Sequence, residues 1–213
     1  PLAAQLASIE LLREGLETLE PQARRDLVLA LERGTVRLTR LIDNLLESVR
    51  IESGQLALRR QSVDLTDVVD QSRHLIEALM TQRRQVLQVE LPATLPAIDG
   101  DGPRLTQVFV NLLANASKFA PEGSTIRVGS RLKADRLEAW VEDEGTGVPD
   151  LADSGIFDRF YRGKDEEPEP SGLGLGLWIV KSIVDRHGGQ ISAGRTADGR
   201  TRFSVLLPLA RTV

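Results

Sequence analysis

The 213-residue sequence contains no cysteine, few aromatic residues (4%) and no excess of basic charge. The missing cysteines exclude disulfide frameworks and thiolate metal sites, and they fit a reducing compartment. A net charge of −4 argues against a nucleic-acid-binding surface, which usually has a basic excess. No apolar run approaches the roughly 18 residues that a membrane-crossing helix needs, so we expect no membrane contact by this chain. The chain opens at Pro1 without a methionine, and we expect a fragment of a longer protein.

Residues 1–53 carry hydrophobic side chains at helical spacing. Leucine or isoleucine recurs every three or four positions over residues 2–19, Pro21 interrupts the pattern, and it resumes over residues 27–49. This periodicity predicts two amphipathic helices joined by a short break. One such hairpin has little to bury its apolar stripe against, so we expect a homodimer in which two copies form a four-helix bundle. The alternative is that both helices pack on the rest of the same chain.

A mixed α+β domain is predicted for residues 54–213. Gly54 supplies the C-terminal cap of the second helix, and short strand or turn segments are expected around residues 56–58 and 63–65. Hydrophobic periodicity predicts helices at 67–82, 101–119 and 177–187, and strands at 86–91, 125–132, 137–142, 190–193 and 202–207. A domain of this size is ordinary for a single hydrophobic core.

The predicted helix 101–119 carries a polar stripe beside a wide apolar face. The apolar face consists of Leu105, Val108, Phe109, Leu112, Leu113 and Ala116, and the polar stripe of Gln107, Asn111, Asn115 and Lys118. Residues three and four apart share one side of a helix. Amide oxygens are hard ligands of the kind that Mg²⁺ accepts together with substrate phosphates, and a lysine can meet a phosphate. The stripe therefore indicates a metal and phosphate site, with a solvated helix face as the alternative.

Two glycine-bearing segments also suggest ligand binding. Asp143-Glu144-Gly145-Thr146-Gly147 follows a predicted strand; its glycines allow a ligand close to the backbone, and the Asp143 carboxylate can accept a hydrogen bond from an exocyclic amine such as that of adenine. Gly172-Leu173-Gly174-Leu175-Gly176 precedes a predicted helix, whose free N–H groups and positive dipole end suit an anion. The spacing matches neither a Rossmann nor a Walker loop. A plain turn and a flexible linker are the alternatives.

The order of these segments resembles the N, G1, F and G2 boxes of sensor histidine kinases, which share the ATP-binding fold of gyrase, heat-shock chaperone and mismatch-repair ATPases. Residues 111–119 match the N box, residues 156–162 match the F box, and residues 37–46 resemble the second dimerisation helix. The resemblance covers nearly the whole chain. It implies a helical dimerisation hairpin over residues 1–53, followed by a two-layer α/β sandwich that binds ATP.

The resemblance implies a role for each matched residue, with ATP and Mg²⁺ as ligands. Asn115 would ligate Mg²⁺ with Asn111 nearby, and Lys118 would contact phosphate, so Asn115 and Lys118 would serve catalysis. Asp143 would bind the adenine amine. The other implied residues shape the pocket and its lid: Gly145 and Gly147 at the adenine wall, Phe157 and Phe160 as lid anchors, Arg162 at the γ-phosphate, and Gly172, Leu173, Gly174, Leu175 and Gly176 as hinge and phosphate cradle.

The resemblance further implies transfer of the γ-phosphoryl group to a histidine, and from there to an aspartate of a response regulator. The acceptor box should read His-Glu-Leu-Arg-Thr-Pro, and the sequence from Pro1 matches only its tail, so we place the acceptor upstream of Pro1. We expect structural roles for His74 and for His187, whose position at a helix end suits the helix dipole. We expect the cytoplasm as the compartment, with the parent protein anchored to a membrane.

Three other functions are compatible with parts of this sequence. In the related gyrase and chaperone ATPases, a glutamate four residues before the metal-binding asparagine activates water. Asn111 occupies that position here and cannot act as a general base, which disfavours ATP hydrolysis. A degenerate kinase that acts as a dimeric nucleotide-binding scaffold would keep the same ligand residues. Protein-serine kinases of the same fold, such as anti-sigma factors, lack the helical hairpin predicted here.

Overall fold

A computed structural model describes residues 2–15, 18–145, 147, 155–161 and 173–210. The chain begins with two helices, α1 (Leu2–Gly15) and α2 (Pro21–Glu52). They contact each other at Gln5, whose Nε2 donates to Thr35 Oγ1 at 3.0 Å. Pro21 lies in the first turn of α2, where the missing N–H is not needed. Among the described residues, no helix combines the length and the apolarity that a bilayer crossing requires.

Helix α2 ends where a glycine was predicted to cap it. Ser53 is the C-cap, and Gly54 follows with a φ of +72°, a conformation that a residue without a Cβ adopts at little cost. The Gly54 N–H donates to Ile51 O at 3.2 Å, and the Gln55 N–H donates to Arg50 O at 3.0 Å. These two bonds satisfy carbonyls at the helix end.

The remaining elements form the predicted α+β arrangement. They are β1 (Gln61–Val63), α3 (Leu65–Gln82), β2 (Val86–Glu90), β3 (Ile98–Gly100), α4 (Gly102–Phe119), β4 (Thr125–Lys133), β5 (Arg136–Asp143), α5 (Gly176–Arg186), β6 (Gln190–Arg195) and β7 (Thr201–Pro208). Strands β1 and β3 pair antiparallel in a small sheet. The main sheet has the order β2-β4-β5-β7-β6, in which β2 and β4 are parallel and the other pairs antiparallel.

Residues 56–58, where a short strand or turn was expected, form no strand, and strand β3 was not predicted. Backbone groups around residues 56–58 are satisfied outside a strand ladder, because Arg186 Nη1 donates to Leu56 O at 3.0 Å and the Arg59 N–H donates to Asp101 Oδ2 at 2.8 Å. Strand β3 pairs with β1. Of the second segment expected to form a short strand or turn, residues 63–65, only Val63 belongs to β1.

Helix α4 lies at the centre of the core. Its predicted apolar face is confirmed, since all six of its members are fully buried. Asp101 caps its N-terminus by accepting the Arg104 N–H at 3.2 Å, as N-cap residues do. Inward-facing residues of the central strands, such as Val128, Val141 and Phe203, join the same core. The polar edge of α4 is therefore held rigidly relative to the sheet.

The outer face of the sheet carries a half-buried tryptophan between two arginines. Trp140 lies across Gly129, where a Cβ would come within 2.5 Å of the indole ring. The guanidinium carbons of Arg131 and Arg202 lie 5.9 and 4.8 Å from the ring centroid. Arg202 Nε also donates to Glu142 Oε1 at 2.5 Å. These contacts stabilise the face opposite the helices through cation–π and cross-strand charge pairs.

The C-terminal part of α2 contacts helix α4 through a buried ion pair. Glu47, only 4% exposed, accepts from Arg104 Nη1 at 2.5 Å. The same Arg104 nitrogen donates to Gln107 Oε1 at 2.9 Å. Nearby, Ile51 is buried in the common core. Helix α2 is thus joined to the sheet domain by packing and by charge.

A second contact joins α2 to the segment 155–161. Arg159 forms an ion pair with Glu52, and its Nη2 donates to Ser48 Oγ at 3.4 Å. Its guanidinium carbon also lies 4.6 Å from the Phe160 ring centroid and 5.6 Å from that of Trp178. Arg159 therefore connects α2, the segment 155–161 and helix α5.

His187 has a structural role, but not through the helix dipole. It is fully buried at the end of α5; its Nε2 accepts the Asp101 N–H at 3.0 Å, and its Nδ1 lies 2.8 Å from Ile183 O. An Nε2 that accepts leaves the proton on Nδ1, which donates to Ile183. Burial lowers the pKa of His187, so the neutral ring is favoured, whereas a favourable dipole interaction requires the cation. His74 is exposed on α3.

Candidate functional site

The four polar residues of the α4 stripe divide into two groups. Gln107 is engaged with Arg104 at the contact with α2. Asn111 and Asn115 are half-buried, and within the described part of the chain neither carboxamide has a hydrogen-bond partner. Lys118 is exposed, with its ammonium 4.4 Å from the centroid of the Phe119 ring. The middle of the stripe therefore offers two amide oxygens one helical turn apart.

Strand β5 ends in a buried carboxylate beside the C-terminus of α4. Asp143 is 2% exposed, and its Oδ1 accepts the Gly145 N–H at 2.8 Å. A Cβ on Gly145 would lie 2.6 Å from Asp143 Oδ1 and 2.9 Å from Phe119 O. The turn is thus too closely packed against α4 for a larger residue at position 145.

The ionisation of Asp143 is shifted by its surroundings. Burial raises its pKa from 3.8 to about 6, although the Gly145 N–H, the Thr201 hydroxyl and the positive charge of Arg200 oppose the shift. At neutral pH the side chain is therefore largely ionised despite being buried. A buried carboxylate with accepting capacity left over is a feature of binding sites more often than of plain cores.

Two further residues at this end of the site were missed by the sequence analysis. Thr201 lies directly opposite Asp143 in the β5–β7 register. Its buried hydroxyl is close enough to the Asp143 carboxylate to lower the pKa of that group, although it makes no hydrogen bond of ordinary geometry among the described residues. Phe119 is 43% exposed at the end of α4. The position of Thr201 depends on a long-range strand register, whereas the aromatic residue that ends the polar stripe could have been noticed.

The segment 155–161 meets the glycine-rich segment before α5. Phe157 packs edge-on against Phe203, with ring centroids 6.4 Å apart. Phe160 is 52% exposed and has a φ of +62°. Gly174 has a φ of +67°, and a Cβ there would lie 2.8 Å from the Phe160 carbonyl carbon and still closer to Tyr161 O. The structure thus brings the F-box and G2-box residues together at Gly174.

Helix α5 begins beside the amide-bearing side of α4. It starts at Gly176, where a Cβ would lie 3.9 Å from Asn111 Oδ1. Leu175 is buried before it, and Leu173 is 41% exposed. The helix N-terminus, which favours anions, therefore lies near Asn111. The predicted γ-phosphate residue Arg162 and the first glycine, Gly172, lie outside the described residues.

One end of the site is suited to a nucleotide base, and we call it the base end. The other is suited to phosphates, and we call it the phosphate end. The base end contains the Asp143 carboxylate, the Thr201 hydroxyl and the Phe119 ring, while Gly147 (φ +89°) lies under the Arg195 guanidinium. The phosphate end contains amide oxygens, Lys118 and a helix N-terminus. No group of three His, Cys, Asp or Glu side chains capable of holding a metal occurs among the described residues. A metal here would depend on amide, phosphate and water oxygens, which suits Mg²⁺.

Comparison with known proteins identifies relatives over the whole chain. The family described as histidine kinase-, DNA gyrase B-, and HSP90-like ATPase matches residues 100–211. The sensor protein KdpD of Escherichia coli strain K12 is 35% identical over 205 residues, covering 96% of this chain and 22% of that protein. The signal transduction histidine-protein kinase BaeS of the same strain is 30% identical over 212 residues, covering 99% of this chain and 44% of that protein. The chain thus spans less than half the length of either relative.

A solved structure shares the fold. Full-length ShkA in complex with AMPPNP aligns with a TM-score of 0.72 at 23% identity, covering 100% of this chain and 47% of that one. At this identity the match supports the arrangement of helices and strands.

Proposed function

Because the chain belongs to the histidine kinase-, DNA gyrase B- and HSP90-like ATPase family, among the sensor histidine kinases, we propose that it binds Mg²⁺-ATP and transfers the γ-phosphoryl group to a histidine upstream of Pro1. An aspartate of a response regulator then receives the group. The absence of cysteine and the use of ATP fit a cytoplasmic site of action.

The strongest support is the base end of the site. Asp143 is buried and ionised, and Gly145 occupies only one of its oxygens. The other can accept from the adenine amine, and the Thr201 hydroxyl beside this carboxylate can bond a ring nitrogen or a bridging water. The exposed Phe119 ring offers a surface on which a purine can stack. The close packing at Gly145 and Gly147 keeps this wall in place.

The phosphate end supplies positioning and charge neutralisation. Phosphoryl transfer depends on these more than on covalent help from the protein. When bound, Mg²⁺ would neutralise negative charge on the phosphates. Asn115 would hold it through its amide oxygen, with Asn111 one turn away, and Lys118 would contact a phosphate. The glycine-rich segment from Gly172 to Gly176 would form the hinge and cradle. Phe157 and Phe160 would anchor the lid, and Arg162 would hold the γ-phosphate.

Restoring His-Glu-Leu-Arg-Thr before Pro1 is expected to give a chain that labels itself with γ-³²P-ATP and Mg²⁺. The label should be acid-labile and alkali-stable, as expected for a phosphohistidine. Asn115→Ala should remove the label, because the metal loses its protein ligand. The unextended chain is the matched control and should stay unlabelled, since neither His74 nor His187 lies within an acceptor box. Phosphate release without labelled protein would contradict the proposal and favour an ATPase.

The exposed apolar residues of α1 and α2 support a homodimer formed through residues 1–53. Among the described side chains of the two helices, ten large hydrophobic ones are between 46% and 60% exposed. They include Leu2, Leu6 and Ile9 on α1 and Ile42, Leu45 and Val49 on α2, at the spacing of bundle-forming helices. Apolar stripes of this extent rarely remain exposed to water. We propose that a second copy covers them in a four-helix bundle.

The chain is accordingly expected to sediment at twice its mass of 23.4 kDa. Leu45→Arg should shift it to the monomer, because the charge would be buried in the bundle without a partner. Leu75→Arg is the matched control: Leu75 is 66% exposed on α3, away from the stripes, and this variant should stay dimeric. Sedimentation of the unmodified chain as a monomer at micromolar concentration would contradict the dimer.

A further inference from the structure

Arg200 of the β6–β7 hairpin holds the turn that follows Asp143. Arg200 Nη2 donates to Glu144 Oε1 at 2.8 Å, its Nε donates to Asp198 Oδ2 at 3.1 Å, and its Nη1 donates to Thr125 O at 3.4 Å. Its side chain is only 16% exposed. One guanidinium therefore joins the turn after β5, the β6–β7 turn and the start of β4.

The base of this hairpin turn is itself closed. The Arg200 N–H donates to Thr196 Oγ1 at 2.9 Å, and the Thr196 N–H donates to Arg200 O at 2.9 Å. Arg200 is thus fixed through its backbone as well as its side chain. Because both its backbone and its guanidinium are fixed, Arg200 can hold the turn after β5 at a set distance from the β6–β7 turn.

The contact lies next to the residues that form the base end of the site. Thr201 follows Arg200 and faces Asp143 across the strand pair, while Glu144 follows Asp143. Arg200 therefore contacts Glu144 while the neighbouring Thr201 lies opposite Asp143. The hairpin makes a second contact at the end of β6, where the Arg195 guanidinium lies over Gly147.

From this geometry we propose that Arg200 is a positioning residue that fixes the Asp143 carboxylate for recognition of adenine, and that Glu144 is its partner. The inference rests on the proposed binding of ATP at this site. Arg200 does not touch the base in this scheme. It holds the turn from Glu144 to Gly145, so that the Asp143 oxygen left free by Gly145 stays within hydrogen-bond distance of the amine. Displacements of about 1 Å are enough to weaken such contacts.

Nucleotide selectivity tests this role, because guanine carries a carbonyl oxygen where adenine carries the amine. The measurement is calorimetric titration of the chain with non-hydrolysable ATP and GTP analogues in Mg²⁺. Arg200→Gln and Glu144→Gln are each expected to weaken ATP-analogue binding about tenfold with little effect on the GTP analogue. The double variant should bind the ATP analogue no more weakly than Arg200→Gln alone, because that substitution already removes the contact with Glu144.

Arg202→Gln is the matched control. Arg202 lies two residues further along, on the outer face of the sheet, where it pairs with Glu142 and Trp140. It should leave the preference for the ATP analogue unchanged. An equal loss of both analogues in Arg200→Gln would indicate general damage to the fold and overturn the inference, as would unchanged selectivity. If the unmodified chain bound neither analogue, the proposed function itself would fail.

Discussion

Asp143→Asn is expected to weaken ATP binding about a hundredfold or more while making the free protein more stable. The loss of affinity follows from hydrogen-bond polarity. The Gly145 N–H needs an acceptor at Oδ1, so the variant's amide oxygen will stay there. Its NH₂ group then takes the place of the second carboxylate oxygen and presents a donor to the adenine amine, which is also a donor.

The gain in stability follows from the raised pKa of Asp143. The folded chain holds the Asp143 proton more tightly than the unfolded chain, whose pKa is near 3.8 rather than about 6. The free energy of unfolding therefore falls as the pH rises through this window. At pH 7 the ionised side chain costs the fold about 3 kcal/mol, and the neutral asparagine removes most of this cost. Urea unfolding at pH 7 measures the gain.

The same carboxylate gives ATP binding a pH dependence. Protonation of Asp143 turns its free oxygen into a donor, so affinity should decrease as the pH falls through about 6. The asparagine variant should lack this decrease. Asp135→Asn makes the same chemical change at the exposed β4–β5 turn and should alter neither affinity nor its pH dependence. Full ATP affinity in Asp143→Asn would exclude Asp143 as the adenine-binding residue.

Arg104→Ala is expected to lower the free energy of unfolding by about 3 kcal/mol. The substitution leaves Glu47, whose side chain is 6% exposed, without its close partner. Arg50 is the other cation near it, at 3.7 Å and 60% exposed, and it cannot replace a buried pair. Circular dichroism during urea titration measures the loss.

A second substitution distinguishes the cost of an unpaired Glu47 carboxylate from the cost of the packing lost with the Arg104 side chain. Adding Glu47→Gln to Arg104→Ala should restore about 1 kcal/mol, because a neutral amide is less costly to bury than an unpaired carboxylate. Lys181→Ala is the matched control, since it removes an ion pair with Asp185 in which both side chains are about half exposed. It should cost less than about 1 kcal/mol. Equal losses in Arg104→Ala and Lys181→Ala would show that burial of Glu47 contributes little.

Local patterns predicted most of the secondary structure and the core of this protein. The apolar face of α4, the glycine cap of α2 and the strands of the main sheet each depend on residues close together in sequence. The polar stripe also located Asn111 and Asn115. Such features are predictable because helix and strand geometry repeats over a few residues.

Contacts between distant segments could not be predicted in the same way. Nothing near Thr201 in the sequence indicates that it faces Asp143, because strand register is set by the whole sheet. Gln107 looked equivalent to the two asparagines, yet it bonds to Arg104 at the contact with α2. That contact depends on Glu47, which no periodic pattern links to α4.

Because Arg159 lies close to Trp178, the fluorescence of this tryptophan can report on the contact between α2 and the segment 155–161. Of the two tryptophans, Trp178 lies 5.6 Å from the Arg159 guanidinium, which also pairs with Glu52 of α2, while Trp140 lies on the far side of the sheet. The indole emission of Trp178 responds to the charge and solvent around it, and that of Trp140 supplies a reference. A change in the distance between α2 and the segment 155–161 can therefore be followed by tryptophan fluorescence, without an attached dye.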